Sequence, residues 1–195
     1  MHKLLLDIPD RIETGRLYLR RYQAGDGPWY YQMSQKNKSH LARYESDNPV
    51  MSINSEEDAE IVVRDFAADW MARKAFFIGA FQKDTQVFVA QVYIGVVNWD
   101  LPEFEIGYFV EKEHEGKGYV TEATNGALQF CFGPLGAYRV RLKCDDTNMR
   151  SYSVADRCGM VREGHIRENK KNADGRMSGT LLYGLLRSEY EARKP

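Results

Sequence analysis

The stretch from Glu105 to Ala127, EIGYFVEKEHEGKGYVTEATNGA, decides the fold. Ile106, Tyr108 and Val110 alternate with Gly107, Phe109 and Glu111 at the period of a strand, whereas Val120, Ala123, Thr124, Ala127, Leu128 and Cys131 recur at helical spacing. EHEGKG joins the two as a glycine-bearing turn. A strand that enters a helix through a tight turn leaves the first helical N–H groups unpaired at the positive end of the helix dipole. That is an anion site, most naturally for phosphate.

Gly116 and Gly118 suit this turn because glycine accepts backbone angles that other residues resist and lets an anion lie against the main chain. An ordinary strand-to-helix connection would use the same glycines. Two other phosphate motifs are excluded. The turn lacks the third glycine of the dinucleotide fingerprint, and Lys117 is followed by Gly118, not by the Ser or Thr of a P-loop.

Outward from this centre, Arg16 to Tyr22 reads as a first strand after the polar turn Glu13-Thr14-Gly15. Asp26 is the expected cap of a first helix with Pro28 in its first turn. Ser39 to Ile53 has no sustained period and reads as a loop. Ser55 and Asp58 open a second helix in the manner of a capping box, and Ala59, Val62, Val63, Phe66 and Trp70 give it a core-facing stripe. Ala75 to Phe81 and Val87 to Trp99 form a hairpin around Gln82 to Gln86. Beyond the central helix, Gly133-Pro134-Leu135-Gly136 breaks the chain before a strand from Tyr138 to Cys144. A short helix from Asn148 to Cys158 follows, ended by Gly159. Val161 to Ile166 and Thr180 to Leu186 are terminal strands joined through the Ala173-Asp174-Gly175-Arg176 turn.

The runs EIGYFVEKEHEGKGYVTEA, YRVRLKCDDTNMRS, CGMVREG and LLYGLLRSEY, together with the opening IETGRLYLRRY, resemble the GNAT superfamily of acetyl-CoA-dependent N-acetyltransferases in its RimJ/RimL-like branch. The resemblance covers nearly the whole chain, 1–195, and implies one α/β domain: a mixed, mostly antiparallel twisted sheet with helices on both faces. It implies that Glu115, Gly116, Lys117, Gly118, Tyr119, Val120 and Thr121 hold the CoA pyrophosphate. Phe109 and Val110 line the channel and offer backbone N–H groups to the oxyanion, and Asn148 bonds the pantetheine amides. Relatives often form homodimers, which makes a homodimer a further expectation.

Acetyl transfer to an amine requires removal of a proton, stabilisation of an oxyanion and departure of a thiolate. By the resemblance Glu105 takes the proton, although Glu103 and Glu105 also read as a solvated pair near a strand end. Ser151 is the first candidate to protonate the thiolate, with Tyr152 in reserve. Asn148 and Ser151 are equally good helix caps. The Ser39 to Ile53 loop belongs to the acceptor side, which makes His40, Arg43, Tyr44, Glu45 and Asp47 candidates, with Tyr44, Glu45 and Glu105 foremost. Two departures from the branch stand out. Glu115 replaces an Arg or Gln and is expected to point outward, leaving His114 and Lys117 as the positive charge. Gly179 replaces an Asp.

The 195 residues can bury roughly 70% of their unfolded surface. A net charge of −1 gives no broad basic surface for nucleic acid. Cys131, Cys144 and Cys158 have no CxxC spacing and read as reduced core residues. The opening MHKLLLDIPD is too short for a signal-peptide core or a membrane span, and a cytoplasmic, metal-free enzyme is expected. Its acceptor is a protein N-terminus or a small amine; a non-catalytic acyl-CoA-binding module is the other class.

Overall fold

The computed structural model describes residues 2–172 and 175–193. Eight strands form one sheet in the order β1-β2-β3-β4-β5-β6-β8-β7. They are β1 (Arg11–Glu13), β2 (Leu17–Arg21), β3 (Ala75–Gln82), β4 (Phe88–Asn98), β5 (Glu103–Val110), β6 (Arg139–Asp145), β7 (Val161–Lys171) and β8 (Met177–Leu186). All neighbours are antiparallel except β5 and β6. The helices are α1 (Gly27–Leu41), α2 (Glu56–Ala72), α3 (Tyr119–Phe132), α4 (Met149–Arg157) and α5 (Arg187–Glu191).

Alternation along the strands sorts side chains to the two faces. Leu17 and Leu19 of β2 and Ile106 of β5 pack with Ala123, Ala127 and Cys131 of α3 and Val154 of α4. Tyr18 of β2 and Phe109 of β5 face the other way, toward Tyr30 and Met33 of α1 and Val63 and Phe66 of α2. The sheet therefore carries helices on both faces, as expected. Among the described residues no helix is long and apolar enough to cross a membrane.

Some local expectations need correction. The Asp26 carboxylate does not cap α1: it binds Arg20 at 2.7 and 2.9 Å and the Trp29 Nε1–H at 2.9 Å. An ion pair outcompetes the cap. Part of the Ser39–Ile53 loop is helical, since α1 runs to Leu41 and a 3-10 turn spans Pro49–Ser52. β1, of which only Glu13 falls in the expected turn, is too short at three residues to show a period. β7 and β8 are longer than read, with a positive φ at Glu168 breaking their register. Ala173 and Asp174 of the turn assigned between them lie outside the described residues. The Ser55 cap is as expected, accepting from the Asp58 N–H at 3.0 Å.

Candidate active site

Parallel pairing of β5 with β6 ends at Ile106 and Leu142, while each strand continues. The sheet splits there. The Glu111 N–H bonds Val89 O at 2.9 Å, and Ala90 faces Val110 across β4 and β5, so Ala90 and Val110 are a non-hydrogen-bonded pair. By that alternation the Val110 N–H points away from β4, toward the split. A cavity of about 1680 Å³ opens at this place. Tyr108, Phe109, Val110, the turn from Glu115 to Gly118, Val120 and Thr121 line one part of it, and Asn148 and Ser151 another.

The turn has the geometry that its glycines imply. Gly116 has φ 74° and Gly118 φ 78°, both left-handed, and Gly118 is the N-cap of α3. No side chain caps that helix, and its first intrahelical bond within the cap is Glu122 N–H to Gly118 O at 3.1 Å. The N–H groups of Tyr119, Val120 and Thr121 are thus the ones a helix start leaves for an anion. Arg16, just before β2, braces the turn, donating to Lys117 O at 3.1 Å and to Glu122 at 2.7 Å, with its guanidinium 4.6 Å from the Tyr119 ring centre. Burial disfavours the Glu122 charge, yet the Thr14 hydroxyl and Arg16 outweigh it and hold that carboxyl below its ordinary range. The donor set, N–H groups with Lys117 and Arg150 beside them, fits a pyrophosphate.

Glu115 does not point outward. It lines the cavity, ion-pairs with Arg150 of α4, and lies 3.5 Å from His40 Nε2 of α1. His114 is not among the cavity's lining residues; it meets Glu111 at 3.3 Å. Lys117 does line the cavity, and Arg43, Arg150 and Arg157 add further positive charge. An anion site beside a carboxylate is tolerable because Arg150 neutralises it.

Asn148 and Ser151 do meet in this site, and the capping role is realised. The Asn148 Oδ1 accepts from the Ser151 N–H at 3.1 Å, leaving the amide NH₂ for another partner. Ser151 is clamped further, since the Tyr108 hydroxyl donates to Ser151 O at 2.8 Å. Tyr152 is separated from them and lines a second cavity with Asp146, His165 and Gly179.

Glu105 lies elsewhere. It is not among the lining residues of the large cavity, and its carboxylate pairs with Arg141 Nε at 2.8 Å and Lys143 Nζ at 3.1 Å on β6. Tyr44 and Glu45 do line the cavity, with His40 and Arg43; Asp47 does not. The Tyr44 hydroxyl reaches Thr147 O at 3.4 Å and so ties the segment after α1 to the loop before α4. Desolvation raises the Glu45 carboxyl above its ordinary value, despite the Asn48 amide at 3.5 Å.

Tyr108, Arg150, Arg16 and Glu122 were not singled out from the sequence. Tyr108 read simply as one step of an alternating strand, and Arg16 as the start of another. Their one available signal is position: Glu122 stands in the first turn of α3, where a carboxylate normally helps the dipole but here needs a cation beside an anion site.

The sequence model of the acetyltransferase (GNAT) domain family matches residues 16–161. The chain belongs to the GNAT acetyltransferase family. It is accordingly an acetyl-CoA-dependent N-acetyltransferase. It is 25% identical over 177 residues to the spermidine N(1)-acetyltransferase of Vibrio cholerae, an alignment covering 91% of this chain and 96% of that one. It is 27% identical over 143 residues to the ribosomal-protein-serine acetyltransferase of Escherichia coli, covering 71% and 75%. RimJ of Mycobacterium smegmatis, solved in complex with a CoA disulfide, shares the fold at a TM-score of 0.80 with 20% identity, covering all 100% of this chain and 93% of that one.

Proposed function

We propose that this GNAT enzyme acetylates a primary amine carrying a single positive charge, foremost the α-amine of a protein N-terminus. The carrying observation is how the carboxylates of the cavity are paired. Its lining carboxylates are Glu13, Glu45, Glu115 and Glu122. Glu13 pairs with Arg11 and Lys83, Glu115 with Arg150, and Glu122 with Arg16. Among the described residues Glu45 is left without an ion pair. One free carboxylate suits one ammonium, whereas a polyamine leaves further charges that need partners of their own.

In this reading the pyrophosphate of acetyl-CoA lies against the N–H groups of Tyr119, Val120 and Thr121, with Lys117 alongside. Phe109 and Val110 flank the acyl end, and the Val110 N–H receives the developing oxyanion, already oriented before reaction. The Asn148 amide NH₂ donates to the pantetheine, and the Ser151 hydroxyl hands its proton to the departing thiolate. Tyr152, on the second cavity, is not needed there. Attack is direct. Burial pushes the Cys131 thiol up, Cys144 up to about 11 and Cys158 up to about 12, so none is primed as a nucleophile. Glu105 is proposed to hold Arg141 and Lys143 along the split strands.

The test is free-thiol release from acetyl-CoA with two acceptors, a peptide opening on alanine or serine, and spermidine. Faster release with the free peptide, abolished when its N-terminus is blocked, supports the reading. Release with spermidine alone transfers the enzyme to the small-amine class.

A further inference from the structure

We infer that Glu45 is the general base that takes the proton from the acceptor ammonium. The inference rests on the N-acetyltransferase reading and goes beyond it by assigning the proton. Glu45 follows α1, where its N–H still bonds Leu41 O at 2.8 Å, so a helical turn fixes its place. Across the split, the Tyr44–Thr147 contact fastens that turn to the loop that leads into Asn148 and Ser151. Glu45 and Ser151 consequently stand on two walls of one cavity, the arrangement that deprotonation at one end and thiolate protonation at the other require.

Charge distinguishes Glu45 from Glu105. Glu105 is engaged by both Arg141 and Lys143 and does not line the large cavity, whereas Glu45 lines it and has no ion pair among the described residues. Burial, with the Asp47 carboxylate acting in the same direction, outweighs the Asn48 amide and the Lys170 ammonium of β7 and favours the neutral form of Glu45. A base that binds its proton more readily than an ordinary carboxylate does is better matched to an amine at neutral pH.

The protons balance. The ammonium gives one proton to Glu45, and the free nitrogen then attacks the carbonyl carbon. The C–S bond breaks, its electron pair leaving on sulfur; the thiolate takes the Ser151 hydroxyl proton, and Ser151 recovers one from the second N–H. Acetylated amine and free thiol are released, and Glu45 returns its proton to solvent.

The experiment compares wild type, Glu45→Gln and Glu45→Asp for thiol release with the acceptor peptide across pH, with acetyl-CoA thermal stabilisation as a check on folding. Wild-type kcat/KM should fall on the acidic side, below a limb lying above the ordinary carboxylate value of 4.5. Glu45→Gln should lose about 100-fold in kcat and lose that limb, with acetyl-CoA stabilisation retained, and Glu45→Asp should recover part of the rate and the limb. A Glu45→Gln enzyme within tenfold of wild type, or one slowed with the acidic limb intact, overturns the assignment. Wild type without thiol release on any amine would instead fail the acetyltransferase reading itself.

Discussion

The Asp146 carboxylate occupies the space that a side chain at Gly179 would need. A β-carbon built at Gly179 lies 2.6 Å from His165 Nε2 and closer still to Asp146 Oδ2. Asp146 also bonds His165 at 2.8 Å, and the Gly179 N–H and His165 together hold its carboxyl below the ordinary range. The aspartate expected at 179 by resemblance is thus answered from β6's end, not from β8. Gly179→Asp should cost about 1–3 kcal/mol through overpacking and like charge, seen as a lower Tm. The pair Asp146→Gly with Gly179→Asp should recover only part of that loss, because the Ile166 carbonyl oxygen also lies 2.6 Å from that β-carbon. An unchanged Tm in the single variant would remove the relationship.

The Glu115–Arg150 pair crosses the mouth of the cofactor turn, with Arg150 exposed. When a pyrophosphate arrives, Glu115 both repels it and competes for Arg150. Glu115→Gln should therefore tighten acetyl-CoA binding by roughly threefold or more at low salt, with the gain shrinking as salt is added. Calorimetric titration measures this directly; weaker binding would mean that Glu115 positions Arg150 for the ligand.

Gly118→Ala should cost about 1 kcal/mol of stability from its left-handed backbone alone, and Gly136→Ala, at φ 66° outside the cavity, a similar amount. The two should part in binding. A methyl at 118 lies 3.5 Å from Arg16 Nη2, the residue that braces the turn, so acetyl-CoA Kd should rise about tenfold there and stay level for 136. Equal affinities would place the phosphate elsewhere.

Ser151→Ala should slow kcat by about 10- to 100-fold while leaving acetyl-CoA binding near wild type. Asn148→Ala should lose about 1 kcal/mol as its cap to Ser151 disappears, and Asn148→Asp should keep the cap but not the donor to pantetheine. Rates and melting curves for the three variants separate these roles.

The strand, turn and helix around Gly116 and Gly118 were legible because alternation, glycine and helical spacing are local properties of the chain. The hairpin of β3 and β4 and the stripe of α2 were legible for the same reason. The partners of charged residues were not. Nothing near Glu115 announces Arg150, 35 positions on, and nothing near Glu105 announces that Arg141 stands beside it in a parallel register. Asp26 and Asn148 both read as caps, yet of the two side chains only Asn148 caps its helix, because Arg20 lies within reach of Asp26 and, among the described residues, no cation lies on Asn148 Oδ1. The reach of side chains across the fold decided each case.

The most direct test of the whole account is mass spectrometry of a peptide with a free N-terminal serine or alanine and an internal lysine, incubated together with spermidine, the enzyme and acetyl-CoA. The account predicts one added acetyl group, located on the N-terminal residue, with thiol released in equal amount. Acetylation of spermidine in the same mixture with the peptide left unmodified would contradict it.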